Sequence, residues 1–262
     1  MDNTDQISCM KYAGKVNQEA IEYGFLIAQP GVTLKTIDAE MEKFILDAGC
    51  KPAFKGYKPD GAPLPFPCTA CISPNSVVVH GIPGSYVLAP GDLLTIDVGT
   101  QYNGWFVDSA RTRIVDGFNP HGSKLIEATN AILAAQLAVI KHDCNFLTLV
   151  EAAAKVADAY NVKIIPGFGG HGIGNKIHLE PFVPNTLTYD RGHMFKCFEE
   201  QTYKTNTFIA GKTYCIEPVV TYNTINIYTD EDGWTVRTVD GSIVAHEERC
   251  ILVLNNGIEL LS

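Results

Sequence analysis

One Asn-Gly pair between two strand-like segments restricts the fold more than any other feature of the sequence. Asn103-Gly104 separates a run over residues 92–101 from a run over residues 106–115. Asn-Gly favours a two-residue hairpin turn, because both positions tolerate positive φ. With these two residues as the loop, Gly99 faces Asp108 across an antiparallel pair. The sequence therefore predicts a long β-hairpin.

Two aspartates occupy the same face of this hairpin. In the predicted register Asp97 faces Ala110, so Asp97 and Asp108 are diagonal neighbours within reach of one shared ligand. Their sequence neighbours are largely apolar, namely Ile96, Val98, Phe106 and Val107. Two carboxylates held close in such surroundings repel each other unless a cation or a proton lies between them. We therefore predict a cation site, the alternative being an exposed hairpin with two unrelated aspartates.

The composition excludes several classes of protein. The chain has 262 residues, of which 46% are hydrophobic, so it can bury a substantial core. Its net charge is −9 and it has no basic stripe, which argues against direct nucleic-acid binding. No apolar run approaches the length of a membrane span, and the first residues lack the basic and apolar regions of a signal peptide. We therefore expect a cytoplasmic protein without a membrane segment.

The cysteines support that location. Eight of them are scattered along the sequence: Cys9, Cys50, Cys68, Cys71, Cys144, Cys197, Cys215 and Cys250. Several lie in apolar runs, which suits reduced thiols in a cytosolic protein. One C-x-x-C pair is present, but no second pair completes a zinc site. We therefore expect free thiols.

Helices and strands are predicted in an order that occurs twice. Apolar residues at helical spacing predict two helices before the hairpin and two after it, over residues 5–29, 34–48, 122–142 and 149–160. The last helix opens with the capping box Thr148-x-x-Glu151. A long Pro- and Gly-rich loop covers residues 51–75. Strands besides the hairpin are predicted at 77–79, 162–165, 213–221, 225–228, 234–239 and 243–254. This order predicts an α+β fold of two similar parts, about 5–115 and 121–254, facing each other across a shared site.

Three positions in the second part offer further metal ligands. His171 stands on a glycine-rich turn, where small residues allow a ligand to approach closely. Glu217 and Glu248 lie in apolar strands, where a carboxylate needs a partner. Each of the three, taken singly, is more often a hydrogen-bonded structural residue. Together with the two aspartates they indicate a two-metal centre, which needs oxygen-rich ligands and bridging carboxylates.

The histidines divide into reactive candidates and surface residues. His80 and His178 follow strands or turns, where reactive groups tend to be displayed. His246 points in the same direction as Glu248, and the spacing leaves its role undecided. The histidines in polar surroundings are expected at the surface: His121, His142 and His193.

A set of specific motifs covers the sequence from about residue 5 to its end. They are Cys71-Ile-Ser-Pro-Asn-Ser-Val-Val-Val-His80-Gly-Ile-Pro, Thr95-Ile-Asp97-Val-Gly, Phe106-Val-Asp108-Ser-Ala-Arg-Thr, Gly170-His171-Gly-Ile-Gly, His178-Leu-Glu-Pro181, Ile216-Glu217-Pro218 and the strand of Glu248. These motifs resemble the type I methionine aminopeptidases of the pita-bread metallopeptidase family. The resemblance implies a pita-bread fold, with curved antiparallel sheets, outer helices and two pseudo-symmetric halves around a central dimetal site. It also implies one catalytic peptidase domain over residues 1–262.

The resemblance implies an activity and a set of roles. The expected reaction is the metal-dependent removal of the N-terminal methionine from peptides and nascent proteins, with preference for a small second residue. The expected cofactors are two divalent ions, which can be Co, Mn, Fe, Ni or Zn. The family's five ligands correspond to Asp97, Asp108, His171, Glu217 and Glu248, with Asp108 and Glu248 as the bridges. The expected partners are peptide and nascent-chain N-termini and, transiently, the ribosome, and the protein is expected to be a monomer.

The catalytic roles follow the same correspondence. Glu217 would carry the proton from the attacking water to the leaving amine. His178 would donate a hydrogen bond to the carbonyl oxygen as it gains charge, and His80 would hold the peptide beyond the scissile bond. The substrate's methionine side chain would enter an apolar pocket lined by Phe66, Cys71, Ile177 and Trp234.

The sequence departs from the family pattern at three places. His246 and Arg249 stand where the family usually has Gln and His. Ile177 stands where an aromatic residue usually precedes the second catalytic histidine. The segment 187–210 is longer than in the typical bacterial enzyme of this type.

The sequence argues against three other functions. A proline-directed peptidase of the same fold usually carries an extra N-terminal domain. A non-catalytic peptide-binding member should have lost at least one ligand, whereas all five positions are filled here. A two-metal phosphatase or nuclease is disfavoured by the absence of basic residues around the proposed ligands.

Overall fold

A computed structural model describes residues 3–59, 61, 62, 64–186 and 206–262. These residues form the helices α1 (Asn3–Ile27), α2 (Leu34–Asp47), α3 (Pro120–Val139) and α4 (Phe146–Tyr160). Their strands are β1 (Lys51–Pro52), β2 (Cys71–Pro74), β3 (Val77–Val79), β4 (Leu93–Tyr102), β5 (Trp105–Ile114), β6 (Lys163–Ile164), β7 (Gly169–Gly172), β8 (Leu179–Pro184), β9 (Thr213–Ile216), β10 (Val219–Thr221), β11 (Ile227–Thr229), β12 (Val236–Thr238), β13 (Val244–His246), β14 (Arg249–Leu254) and β15 (Gly257–Leu260).

The predicted hairpin is confirmed together with its register. β4 and β5 pair antiparallel, with Gly99 opposite Asp108 and Asp97 opposite Ala110. The turn residue Asn103 has a φ of 49°, in the left-handed region that a two-residue hairpin turn requires. β1 and β2 pair with β4 along its other edge, so β4 lies inside a four-stranded antiparallel sheet. The strand that carries Asp97 is therefore supported on both sides.

The later part of the chain forms a second large antiparallel sheet. A five-stranded sheet has the order β15-β14-β9-β7-β8, and its pairings are antiparallel. Two smaller sheets have the orders β13-β10-β6 and β11-β12-β3. Because β3 comes from the first part of the chain and β12 from the second, their pairing joins the two parts.

Each pair of helices packs against a sheet through an apolar face. α1 and α2 bury Ile21 and Met41 in one cluster with Ile96 of β4. α4 buries Leu149 in another cluster with Ile216 of β9 and Ile251 of β14. Burial of one such side chain is worth about 1.5–3 kcal/mol. The predicted α+β fold, with helices against antiparallel sheets, is confirmed.

The predicted start of the fourth helix is wrong. α4 begins at Phe146 and its N-cap is Asn145, whose side-chain oxygen accepts a hydrogen bond from the Thr148 backbone N–H at 3.0 Å. Thr148 therefore lies inside the first turn and does not cap the helix. Asparagine satisfies the free N–H groups at a helix start at least as well as threonine, which explains why the earlier residue caps.

Several strands were not predicted. The predicted loop over residues 51–75 contains β1 and β2, and β7, β8 and β15 were missed. β7 has the sequence Gly-Gly-His-Gly and β8 contains two prolines, compositions that disfavour strands on propensity alone. In the part of the chain described by the structure, no helix is long and apolar enough to cross a membrane.

Candidate metal centre

The hairpin and a later glutamate bring three carboxylates together. Ligand oxygens of Asp97 on β4, Asp108 on β5 and Glu248 lie within 4.8 Å of one another. One oxygen of each is buried without a hydrogen-bond partner: Asp97 Oδ1, Asp108 Oδ1 and Glu248 Oε1. A buried carboxylate oxygen without a partner costs free energy, so three in one place indicate that a cation completes their coordination.

Both glutamates lie where the chain passes from one strand to the next. Glu217 lies between β9 and β10, and Glu248 lies between β13 and β14. β9 and β14 pair with Arg249 opposite Ile216, so continuing the register by one residue places Glu248 opposite Glu217. The segments predicted as single strands, 213–221 and 243–254, are thus each two strands. The breaks deliver the carboxylates to the centre.

Basic residues do lie close to Glu248, contrary to the expectation from the sequence. Arg111 Nη1 and Arg249 Nη1 donate to the Glu248 backbone carbonyl at 2.7 and 2.8 Å. Arg249 also lies 3.6 Å from Oε2 of Glu247, whose Oε1 accepts a hydrogen bond from the Thr112 backbone N–H at 3.0 Å. The two guanidinium groups therefore fix the backbone that carries Glu248. The expected absence of basic residues around the ligands, which disfavoured a phosphatase or nuclease, is therefore wrong.

β7 places His171 beside this cluster. His171 Nε2 lies 3.6 Å from Glu217 Oε2, and its Nδ1 lies 3.0 Å from the Gly172 carbonyl oxygen. A ligand nitrogen of His171 also lies within 4.8 Å of an Asp108 oxygen. Close pairing of β7 with β9 requires glycine, since a Cβ at Gly170 would lie 1.9 Å from the Cys215 carbonyl oxygen. The glycines around His171 thus serve strand packing.

The electrostatics of the centre favour a bound cation. Burial raises the pKa of Asp108 to about 7, and burial followed by the charge of Asp108 raises the pKa of Asp97, Glu217 and Glu248 well above their usual values. Burial, with His178 as a smaller cause, lowers the pKa of His171 to about 3. A neutral imidazole and carboxylates that need a counter-charge are the protonation states that divalent metals select. The donor set therefore fits divalent ions.

His178 and His80 lie at the edge of the centre. His178 Nδ1 lies 2.8 Å from the Tyr57 hydroxyl, and its ring centroid lies 4.4 Å from that of His171. A His178 nitrogen is also within 4.8 Å of ligand atoms of His171 and Asp108. His80 follows β3 with a φ of 56° and lies 6.0 Å, centroid to centroid, from Trp234. Burial, followed by the neighbouring His178, lowers the pKa of His80 to about 4, so its ring is neutral.

The four residues proposed for the methionine pocket share one apolar cluster. Phe66, Cys71 and Ile177 are buried in it and Trp234 packs against it. The rings of Phe66 and Trp234 meet edge to face with centroids 5.3 Å apart. Trp234 Nε1 donates to the Leu64 carbonyl at 3.1 Å. Cys71 is paired with Asp97 across β2 and β4, so this cluster borders the carboxylates.

The remaining histidines lie away from the proposed ligands or in roles that the sequence left open, and Tyr57 is a site residue that the sequence did not indicate. His121 and His142 are exposed, as predicted, whereas His193 and most of the segment 187–210 lie outside the described residues. His246 is buried on β13 and its Nε2 has no hydrogen-bond partner. Burial, followed by the neighbouring His80, lowers the pKa of His246 to about 3. Tyr57 was not singled out from the sequence. Its only signal was its place in the long Pro- and Gly-rich loop.

Comparisons with known proteins agree with this arrangement. The model of metallopeptidase family M24 matches residues 8–254. A methionine aminopeptidase from Clostridium perfringens is 34% identical over 262 residues, covering 100% of this chain and 98% of the relative. The crystal structure of a methionine aminopeptidase from Thermotoga maritima matches with a TM-score of 0.86 at 31% identity, covering 98% of this chain and 96% of that chain.

A more distant structure shares the fold alone. The prolidase from Pyrococcus furiosus matches with a TM-score of 0.70 at 18% identity, covering 98% of this chain and 63% of that chain. Methionine aminopeptidases and prolidases share the pita-bread fold, and this chain has it too. The match of the family model to nearly the whole sequence shows that this chain belongs to metallopeptidase family M24.

Proposed function

We propose that this protein is a methionine aminopeptidase that removes the N-terminal methionine from peptides and nascent chains. The observation that carries the proposal is the convergence of Asp97, Asp108 and Glu248, each with a buried and unpartnered carboxylate oxygen. Its full-length similarity to proteins of that name supports the substrate. The apolar cluster that borders the carboxylates suits the side chain of an N-terminal methionine.

Five side chains would hold two divalent ions. They are Asp97, Asp108, His171, Glu217 and Glu248, with Asp108 and Glu248 as the carboxylates shared between the ions. When bound, the ions would supply Lewis acidity toward the scissile carbonyl and an activated water as nucleophile. Carboxylates with one imidazole accept Mn, Fe, Co, Ni or Zn, so the donor set leaves open which of these is bound in the cell.

The remaining chemistry falls to the protein's own side chains. Glu217 accepts the proton of the attacking water and delivers it to the leaving amine. If the Tyr57 hydroxyl donates to Nδ1 of His178, the neutral ring carries its proton on Nε2, which can donate to the carbonyl oxygen as charge develops. His80, held neutral by burial, accepts a hydrogen bond from the peptide beyond the scissile bond. Loss of one such donor or positioning group typically costs about 10²–10³ in rate.

We also propose a cellular setting. Seven cysteines of the described residues are free thiols, which suits the reducing cytoplasm. Nascent-chain N-termini would be the substrates there, with the ribosome as a transient partner. The net charge of −9 favours a monomer that stays soluble.

One assay tests the reaction and its nearest rivals. Metal-free protein is reconstituted with each candidate ion and incubated with Met-Ala-Ser and with Xaa-Pro peptides. We expect release of methionine from Met-Ala-Ser and none from the Xaa-Pro peptides. Cleavage of Xaa-Pro instead would identify a proline-directed peptidase, and metal binding without hydrolysis of either peptide would identify a non-catalytic member.

A matched pair of variants controls this assay. Asp108→Asn keeps the shape of the side chain but removes the shared carboxylate, so bound metal and activity should both be lost. Asp116→Asn changes an exposed aspartate and should leave both unchanged. Bound metal is measured by plasma mass spectrometry after dialysis. A full metal complement in Asp108→Asn would refute the shared-ligand assignment.

A further inference from the structure

Two buried cysteines lie directly opposite each other beside the metal centre. Cys215 on β9 faces Cys250 on β14 in the antiparallel register. Both residues have no exposed surface, and both belong to the apolar cluster that borders the carboxylates. Neither has a role in the proposed reaction. Their placement therefore needs its own explanation.

The backbone geometry of this pair suits a disulfide. The Cys250 N–H donates to Ser262 Oγ at 2.9 Å, and its carbonyl accepts from the Leu261 N–H at 2.8 Å, so both groups point away from β9. Cys215 and Cys250 are thus a non-hydrogen-bonded pair, in which side chains approach most closely and Cα atoms are about 4.5 Å apart. Disulfides bridge Cα separations of about 4.4–6.8 Å. The two sulfurs can be joined with little backbone movement.

Cys215 also touches the centre itself. Its thiol donates to the Asp108 backbone carbonyl at 4.0 Å, and its sulfur lies within 4.8 Å of ligand atoms of His171 and Glu248. Glu248 Oε1 has no hydrogen-bond partner. A disulfide would remove the thiol proton and pull the sulfur toward Cys250. The Asp108 backbone would then lose this donor, and the sulfur beside Glu248 would move.

We propose that Cys215 and Cys250 close to a reversible disulfide under a peroxide oxidant, and that this bond lowers the affinity of the centre for divalent metal. One thiol attacks hydrogen peroxide to give a sulfenic acid and water, and the second thiol displaces a second water to form the S–S bond. The net change is two thiols and one peroxide to one disulfide and two waters. A ligand nitrogen of His171 lies within 4.8 Å of the Cys215 sulfur, and the His171 side chain is 12% exposed, so a water-sized oxidant can approach from this side. The part concerning metal rests on the proposed function.

The bond is tested on the full-length protein by mass spectrometry. Metal-free protein is treated with hydrogen peroxide, its remaining thiols are alkylated, and it is digested without reduction. We expect a cross-linked peptide pair containing Cys215 and Cys250, absent after dithiothreitol. Cys215→Thr and Cys250→Thr should abolish the pair, whereas Cys50→Ala, at another buried free thiol, should retain it. Separate sulfinic acids without a cross-link would overturn the proposal.

Metal affinity tests the consequence. Mn²⁺ is titrated calorimetrically into reduced protein, into oxidised protein, and into oxidised protein re-reduced and desalted. Partners that orient metal ligands typically contribute about 10–100-fold in affinity, so oxidised protein should bind at least about tenfold more weakly and recover on reduction. Unchanged affinity in cross-linked protein would refute the switch. Failure of the reduced protein to bind Mn²⁺ would instead refute the proposed function, and the cross-link would still be decided by the mass spectra.

Discussion

The Tyr57 hydroxyl lies 2.8 Å from His178 Nδ1, so Nε2 is the ring nitrogen that would face a bound peptide. His178 is exposed, so packing alone does not hold its ring. We expect His178→Ala to lower kcat/KM by about 10²–10³ with nearly full metal content. His80→Ala should behave similarly, and Tyr57→Phe should give a smaller loss because the ring remains but its tautomer is no longer fixed.

Metal content and steady-state kinetics on the same samples separate two possible roles for His178. Its nitrogen lies within 4.8 Å of ligand atoms of His171 and Asp108, which is close enough for a metal ligand. A loss of bound metal in His178→Ala would make it a ligand and reject the assigned donor role. Tyr12→Phe serves as the matched control. It also removes one tyrosine hydroxyl, but that hydroxyl donates to the Ala48 carbonyl and not to a proposed site residue.

Ile177 is the residue expected to form one wall of the methionine pocket. It is buried, and its Cδ1 would lie 3.1 Å from a Cβ at Gly99, so it packs tightly against β4. A sulfur–aromatic contact is worth about 0.3–1.5 kcal/mol, and isoleucine cannot make one. Ile177→Phe should therefore raise the ratio of kcat/KM for methionine over norleucine substrates, by at most about tenfold. An unchanged or lower ratio would show that residue 177 does not line the pocket.

The side chains predicted as ligands could be found from the sequence because acids are rare in apolar strands. Asp97 and Asp108 stood out once the hairpin register was known, and Glu217 and Glu248 stood out against apolar neighbours. Tyr57 and Cys215 gave no such signal. A tyrosine in a loop and a cysteine in a strand are ordinary, and only the fold shows what they touch.

At the scale of the elements, β7 is the strand whose position depends most on glycine. Gly170→Ala would place a Cβ 1.9 Å from the Cys215 carbonyl oxygen, which is backbone and cannot turn aside. We expect this variant to separate β7 from β9, displace His171, and lose both thermal stability and bound metal. Gly174→Ala is the control, because its Cβ would meet only side chains, at 3.5 Å or more. Equal melting temperatures for the two variants would contradict this account of β7.

Some elements could be predicted and others could not, for identifiable reasons. The β4–β5 hairpin combines β-forming residues with an Asn-Gly turn, so local preference and final structure agree. β7 and β8 form despite their glycine and proline content, because neighbouring strands supply the pairing partners. Asn145, three residues before Thr148, caps the helix instead of Thr148. Both residues offer a side-chain oxygen, so the sequence alone does not decide between them. Pairing partners and competing caps are tertiary information that a single segment does not contain.

At the scale of the whole molecule, the buried carboxylates make the metal-free protein sensitive to pH. Burial raises the pKa of Asp108 to about 7, and burial followed by the charge of Asp108 raises the pKa of Asp97, Glu217 and Glu248 well above their usual values. The folded state therefore binds protons that the unfolded state has released, so stability falls as pH rises through this range. Buried His80, His171 and His246 have lowered pKa values and act in the opposite direction, but only below about pH 6.5.

From about pH 6.5 to 8 the carboxylates dominate the change in stability, because the histidines have finished titrating and the thiols of the unfolded chain, with a usual pKa of about 8.5, have only begun to ionise. Each carboxyl that stays protonated only in the folded state costs up to about 1.4 kcal/mol per pH unit. The melting temperature of metal-free protein, followed by circular dichroism, should fall across this window, and Asp108→Asn should show a shallower fall. Added divalent metal should remove the fall, because it replaces the protons. A melting temperature that rises with pH in metal-free protein would contradict the carboxylate cluster.

The metal centre can only be completed late in synthesis and folding. Asp97 and Glu248 are far apart along the chain, as are the paired strands β3 and β12. During synthesis the hairpin with its two aspartates leaves the ribosome well before Glu217 and Glu248 have been made. Contacts between segments so far apart in sequence form late, because the intervening chain must first be closed into a loop. A chain stopped between Asp108 and Glu248 would carry two to four of the five side chains but no complete centre. Unfinished copies of the protein would therefore be inert, and peptide-bond cleavage would begin only once nearly the whole chain had folded.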